Sequence, residues 1–277
     1  MEKTFGVIVS DERQCRLAAM LRCDGADVST YGAGNGDTDN EALERVLQSD
    51  VVILSLPLSR TEGILNCPSD PMPLASLFSR LRNGQRILAG QIKPQEQKKA
   101  AQYGLLLEDY FLREELKVAN AAATAEGAIR TAMERSGRML LGQKALVLGF
   151  GRIGKLLSFR LQALGVCVSA TARRLEDLAW IRAYGCKVLE TFGLSGHLQD
   201  FDLVFNTIPA PVLGEELLSQ LPERCVCIDL ASREGIDAAV AKKLGLEYVW
   251  ARSLPGKMVP ESAAGAIQEA VYHILSE

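Results

Sequence analysis

The stretch Lys144-Ala145-Leu146-Val147-Leu148-Gly149-Phe150-Gly151-Arg152-Ile153-Gly154 joins an apolar run to glycines spaced G-x-G-x-x-G, and Ile153, Leu156, Leu157, Leu161 and Leu164 then recur on one helical face. Phosphate binding is the chemistry such a stretch performs. Gly149 permits a tight turn out of a strand, Gly151 lets the backbone approach a pyrophosphate, and Gly154 lets the helix sit close to the strand. Amide groups at the helix start then hold phosphate oxygens. In this strand-to-helix context the motif specifies a dinucleotide site with Gly149, Gly151, Arg152, Ile153 and Gly154 as contacts, Arg152 being alternatively a surface residue of the helix start.

The next apolar run, Val166 to Ala170, leads into Thr171-Ala172-Arg173-Arg174. A domain that prefers NAD usually places Asp or Glu about 20 residues beyond the glycines to hold the ribose hydroxyls, whereas Arg accepts a 2′-phosphate. Here the acid is missing and two cations stand in its place, so NADP(H) is the expected cofactor, with Arg173 and Arg174 on its extra phosphate through paired, charge-assisted hydrogen bonds. The alternative is a solvated helix start.

Ligands of a doubly wound sheet collect beyond the carboxyl ends of its strands. Polar groups stand at such ends in Asn206-Thr207-Ile208-Pro209, Ala231-Ser232-Arg233 and Ser253-Leu254-Pro255-Gly256-Lys257, and on a helix at Asn120 and Thr124-Ala125-Glu126-Gly127. Asn206, Thr207, Ile208 and Pro209 are expected beside the cofactor; each group also has a turn or cap reading. Glu126 is a candidate base or an exposed face. The two histidines, His197 and His273, stand near no Cys or carboxylate pair at ligand spacing, so no metal site is expected and no catalytic base is assigned.

These residues need a scaffold. Apolar runs at 5–9, 51–56, 86–90, 145–149, 166–170, 202–206, 225–230 and 246–250 read as strands, and their lack of polar alternation fits parallel sheets covered on both faces. Helices are expected at Asp11 to Cys23, Glu41 to Gln48, about Leu112 to Arg138, and 261–275, with a Gly/Asp/Asn loop at 32–40. The fold class is α/β, with two doubly wound Rossmann-like domains. Residues 1–115 form a substrate-side domain, 116–136 a linker helix, 137–260 the NADP-binding domain, and 261–277 a helix returning toward the first.

A chain of 277 residues with 48% hydrophobic and 23% charged residues is long enough for two cores and is not disordered in type. The net charge of -3, with no Lys/Arg stripe, argues against nucleic acid as a partner. Seven cysteines without a CxxC pair read as reduced core residues. Met1-Glu2-Lys3-Thr4 runs straight into Phe5-Gly6-Val7-Ile8-Val9 without a secretion-signal pattern, and no apolar stretch reaches bilayer length; a cytoplasmic protein off the membrane is expected. Homo-oligomerisation stays open.

The segment Val118 to Ile129 (VANAAATAEGAI), the GFGRIG loop, Asn206-Thr207-Ile208-Pro209-Ala210, Asp229-Leu230-Ala231-Ser232 and Leu254-Pro255-Gly256 together resemble the family of the dipicolinate synthase A subunit. Ser10-Asp11-Glu12-Arg13-Gln14, Leu56-Pro57 and Asp109 to Glu115 extend that resemblance over nearly the whole chain. It implies NADP-linked oxidation of a dihydrodipicolinate-type ring to pyridine-2,6-dicarboxylate, in concert with the flavoprotein-like dipicolinate synthase B subunit, during sporulation. A dicarboxylate substrate needs donors, for which Asn120, Thr124, Thr207, Ser232, Lys257 and Arg13 are candidates. The chain departs from the family at Arg233-Glu234-Gly235-Ile236-Asp237, where a Pro-Gly-Gly segment is usual. Two alternatives stand beside this reading. One is a D-2-hydroxyacid dehydrogenase-like enzyme, which would call for a His in the loop at the corresponding strand end, where this chain has none; the other is a non-catalytic NADP(H)-binding scaffold.

Overall fold

The computed structural model describes residues 3–32 and 38–277. Most of the glycine-rich loop expected at 32–40, together with Met1 and Glu2, lies outside the described residues. The chain divides into two compact units, residues 1–120 with 259–277 and residues 121–258.

In the first unit the chain runs β1 (Phe5–Val9), α1 (Glu12–Cys23), β2 (Val28–Gly32), α2 (Asn40–Gln48), β3 (Val51–Ile53), α3 (Leu74–Phe78), β4 (Arg86–Ala89), α4 (Pro94–Ala101) and β5 (Leu107–Asp109). Its described strands pair in parallel in the order β2-β1-β3-β4-β5, with Val7 beside Thr30 on one side and Ile53 on the other. Apolar clusters cover both faces. Ile8, Val52 and Ile87 point to one and Val7, Ile53 and Leu88 to the other, as period-two strands require. Each such fully buried side chain contributes about 1.5–3 kcal/mol.

A short 3-10 turn precedes α5 (Glu114–Ser136), which carries the chain from one unit to the next. Its end falls at Gly137, whose φ of 59° no longer continues the helix. The second unit then runs β6 (Lys144–Leu148), α6 (Arg152–Ala163), β7 (Cys167–Ala172), α7 (Leu175–Ala183), β8 (Lys187–Glu190), β9 (Leu203–Asn206), α8 (Glu215–Leu218), β10 (Val226–Asp229), α9 (Ala238–Lys243), β11 (Glu247–Trp250) and α10 (Leu254–Met258). Strand order is β11-β10-β9-β6-β7-β8, all parallel. The order reverses between β6 and β9, the place where a doubly wound sheet receives its ligand. The last helix, α11 (Pro260–Ser276), belongs to the first unit and packs on α1.

Both units are therefore parallel α/β sheets covered on two faces. Three strands carry no apolar-run signal in the sequence: Val28-Ser29-Thr30-Tyr31-Gly32, Leu107-Glu108-Asp109 and Lys187-Val188-Leu189-Glu190. All three lie at sheet edges, where part of the strand faces solvent and polar residues are tolerated. The run at 51–56 is shorter than expected, since β3 ends at Ile53 and the chain turns into the cis Leu56-Pro57 peptide.

Candidate functional site

The glycine loop closes the carboxyl end of β6, and each glycine meets a different constraint. Gly149 has φ +91°, and a Cβ there would stand 2.6 Å from Thr207 Oγ1 and 2.9 Å from Ile208. At Gly154 a Cβ would collide with the Gly149 carbonyl, so the first turn of α6 rests directly on the strand end. A Cβ on Gly151 would meet nothing within 4 Å. Thus two glycines are required by the protein's own packing, and the middle one borders open space. Gly151 is the N-cap of α6 and has no side chain with which to accept from the amides of the first turn. An uncapped helix start facing open space is an anion receptor.

Polar side chains on the neighbouring strands hold this loop. Thr171, fully buried on β7, accepts from the Gly149 amide at 3.2 Å. Beyond β9, the Thr207 amide and hydroxyl both donate to the Leu148 carbonyl, at 2.9 and 2.8 Å. Sequence reasoning missed Thr171 as a site residue, although a hydroxyl near the carboxyl end of a buried strand is a readable signal.

Arg173 directly follows β7, is exposed, and forms no ion pair or hydrogen bond among the described residues. Arg174 differs: it pairs with Glu176 and lies 3.3 Å from Asp177. Asp177 also receives Lys155 at 3.3 Å. The two neighbouring cations expected to act together are therefore unequal, because α7 opens with two acids that draw Arg174 to its own first turn. Arg152 and Ile153 stand in the first turn of α6 as expected.

The Asn206-Thr207-Ile208-Pro209 turn requires correction. Asn206 is fully buried: its amide nitrogen donates to the Ile208 carbonyl at 3.0 Å and to Asp229 at 2.9 Å, and its oxygen accepts from the Ile208 amide. It shapes the turn and cannot touch a ligand. Thr207 has one hydroxyl proton, held by Leu148, so it is no donor for a substrate carboxylate. Ile208 is half-buried and Pro209 exposed.

Asp229, another residue missed from sequence, is the hub of the adjacent strand end. Its buried carboxylate accepts from Asn206 and from the amides of Ala231 (3.0 Å), Gly235 (2.7 Å) and Ile236 (3.1 Å). The departure at Arg233 to Asp237 is thereby folded back onto β10. A Cβ on Gly235 would lie 2.7 Å from the Ala210 carbonyl, and the Gly235 carbonyl accepts from Val212 and Leu213. Burial, then the hydrogen bond to Glu234, push the Tyr248 hydroxyl well above its ordinary range, keeping it a neutral donor behind this loop.

The remaining substrate candidates are dispersed. Within the second unit Thr124 is buried on α5, Ser232 is exposed after β10, and Lys257 is exposed on α10. The small residues of α5 serve packing, with Leu254 seated 3.0 Å from where a Gly127 Cβ would stand. Within the first unit, Arg13 and Asn120 border one space of about 10 Å³, which admits a water but no substrate carboxylate. Arg13 is buried, pairs with Asp11 at 2.6 Å and donates to the Leu56 carbonyl at 2.9 Å, so Ser10 to Gln14 form a helix cap tied to the Leu56-Pro57 loop. Glu126 is exposed and pairs with Arg160 at 3.3 Å, and both histidines are exposed. Among the described residues no His, Cys, Asp and Glu cluster could hold a metal, and no helix is long and apolar enough to cross a membrane.

Residues 4–111 match the family described as the N-terminal domain of the dipicolinate synthase A subunit. The dipicolinate synthase A subunit of Bacillus subtilis (strain 168) is 33% identical over 179 residues, which span 64% of this chain and 60% of that relative, under two thirds of its length. The crystal structure of the dipicolinate synthase A chain from Bacillus subtilis aligns at 27% identity and a TM-score of 0.84, covering 100% of this chain and 96% of that one. D-lactate dehydrogenase from Escherichia coli shares the fold at 12% identity and a TM-score of 0.65, covering 99% of this chain and 96% of that one. The chain thus has a dehydrogenase-type fold and resembles the dipicolinate synthase A subunit in both sequence and structure.

Proposed function

Taking that resemblance as the premise, we propose that this chain is an NADP(H)-dependent oxidoreductase that converts a dihydrodipicolinate-type ring to pyridine-2,6-dicarboxylate. One observation carries the cofactor reading: the open space at Gly151 adjoins an uncapped helix start, and Arg173 follows the next strand without a partner among the described residues. The residues present fit a dinucleotide. The amides of Arg152 and Ile153 would hold the diphosphate, and Arg173 would hold a 2′-phosphate, with Arg174 limited by its acidic neighbours.

The bound nicotinamide would supply a hydride acceptor, and loss of that hydride with one proton to water leaves the aromatic ring. This chain's residues would bind and orient rather than titrate. Holding reacting carbons in register contributes up to about 7–11 kcal/mol in favourable cases. Asp229 and Asn206 would act at one remove, by fixing the turns after β9 and β10. Among the substrate candidates, the exposed side chains of Ser232 and Lys257 retain free donor capacity, whereas Thr207 and Arg13 are engaged. The domain carrying the cofactor is proposed to span 137–260. The flavoprotein-like dipicolinate synthase B subunit is the proposed partner, in keeping with the name of the relative.

The test follows NADPH formation and pyridine-dicarboxylate absorbance with dihydrodipicolinate and NADP, with and without that partner. Turnover supports the proposal. Tight NADP(H) binding with no turnover in either arm would leave a scaffold, and fast NADH oxidation with 2-keto acids would mark a hydroxyacid dehydrogenase.

A further inference from the structure

The second unit treats its cations differently at the two edges of its sheet. At the amino ends of β6 and of β9 to β11, cations meet acids: Arg138 and Arg224 share Asp202, Lys144 pairs with Asp200, and Arg135 pairs with Glu247. Beyond the carboxyl ends of β10 and β11, Arg233, Arg252 and Lys257 are exposed and form no ion pair among the described residues. The acids of these loops are turned elsewhere. Asp229 is buried under backbone amides, Glu234 accepts from the Tyr248 hydroxyl at 3.0 Å, and Asp237 caps α9. In a chain of net charge -3, the edge of the sheet that receives ligands is thus left locally positive.

Arg252 is positioned without spending its donors. Its guanidinium lies 4.5 Å from the centroid of the Trp250 ring, and the indole Nε1 donates to the Ala231 carbonyl at 2.9 Å. The ring is thereby tied to the residue just before Ser232 and Arg233. A guanidinium held by its face keeps its N–H edge free, and that edge matches a carboxylate through two parallel hydrogen bonds. Ser253, the next residue, has φ 60°, a conformation that a residue other than glycine adopts only where its surroundings impose it. Asp229 and Trp250 are partners in the β10–β11 register, so Arg233 and Arg252 leave neighbouring strand ends.

This inference rests on the cofactor site proposed above. A dinucleotide lies across the switch between β6 and β9, one half on each side. With the diphosphate at Gly151 and the adenosine phosphate at Arg173, the nicotinamide and the ring it oxidises fall on the side of β9, β10 and β11. We propose that Arg233 and Arg252 form the dicarboxylate receptor of this site, one guanidinium for each carboxylate of the ring, with Trp250 as the platform that pre-sets Arg252.

Titration calorimetry on the full-length chain, with and without NADP, measures binding of pyridine-2,6-dicarboxylate and of pyridine-2-carboxylate, which keeps the ring and loses one acid group. Wild type is expected to bind the dicarboxylate at least about tenfold more tightly. Arg233→Ala and Arg252→Ala are each expected to abolish that preference and weaken the dicarboxylate at least about tenfold, with the melting temperature and NADPH affinity unchanged. Arg182→Ala removes another exposed cation without an ion pair among the described residues, from the last turn of α7, and is expected to change neither affinity. No dicarboxylate binding by wild type, equal binding of the two acids, a preference that survives either substitution, a parallel loss of NADPH affinity, or an equal loss from Arg182→Ala overturns the assignment. An inactive chain whose dicarboxylate binding still depends on both arginines would keep the receptor and remove the oxidation reaction. Turnover of dihydrodipicolinate with KM unchanged by both substitutions would do the reverse.

Discussion

Arg173→Ala is expected to weaken NADPH binding about tenfold to a hundredfold while changing NADH affinity little. The magnitude follows from the surroundings of the side chain. Arg173 is exposed and has no partner among the described residues, so its guanidinium needs no bond broken before it can meet a phosphate. Hydrogen bonds to a charged group are worth about 1.5–3 kcal/mol, and every 1.4 kcal/mol or so is tenfold in affinity; solvent screening favours the lower part of that range. Arg174 offers little compensation, since Glu176 and Asp177 hold it. Arg174→Ala is accordingly expected to cost several-fold less than Arg173→Ala. Arg173→Glu goes further, repelling the 2′-phosphate and offering a carboxylate to ribose hydroxyls, so it inverts the preference toward NADH. Fluorescence titration of both reduced nucleotides at two ionic strengths measures all of this. An NADPH-to-NADH affinity ratio left unchanged by Arg173→Ala would refute the assignment.

Gly151→Ala is expected to leave the melting temperature unchanged and to weaken both nucleotides, since a Cβ there meets no protein atom and projects into the space reserved for ligand; Gly154→Ala, which drives a methyl into the Gly149 carbonyl, is expected to lower the melting temperature as well. Asp229→Ala leaves the amides of Ala231, Gly235 and Ile236 without their buried acceptor and is expected to cost about 3–5 kcal/mol in urea unfolding. Asp202 titrates low: burial raises its pKa, but hydrogen bonds from the Lys144 amide and Arg224 outweigh burial and hold it below the ordinary value. A depressed folded-state pKa gives stability that is present above the unfolded value of about 3.9 and is lost as pH falls through the folded one, so the acid limb of unfolding is expected to flatten in Asp202→Asn.

Much of the fold was legible because parallel strands covered on both faces must be apolar without alternation, and β1, β6, β9 and β10 are. The edge strands β2, β5 and β8 escaped notice for the converse reason. The glycine loop was legible residue by residue, because a left-handed turn and a backbone contact exclude every side chain, whatever surrounds them. Polar side chains carry no such information. Asn206, Thr207 and Arg13 are residue types that bind ligands elsewhere, yet here each is occupied by a partner supplied by the fold: Asp229 for Asn206, the Leu148 carbonyl for Thr207, Asp11 for Arg13. The unequal roles of Arg173 and Arg174 follow from the two acids just beyond them, Glu176 and Asp177, which become neighbours of Arg174 only once α7 has started.

Titration calorimetry of the folded chain with NADPH and with NADH tests the nucleotide site most directly. One equivalent of NADPH bound at least about tenfold more tightly than NADH is the expected result. Absence of heat with either nucleotide, or equal affinity for the two, would contradict the phosphate-binding roles given to the start of α6 and to Arg173.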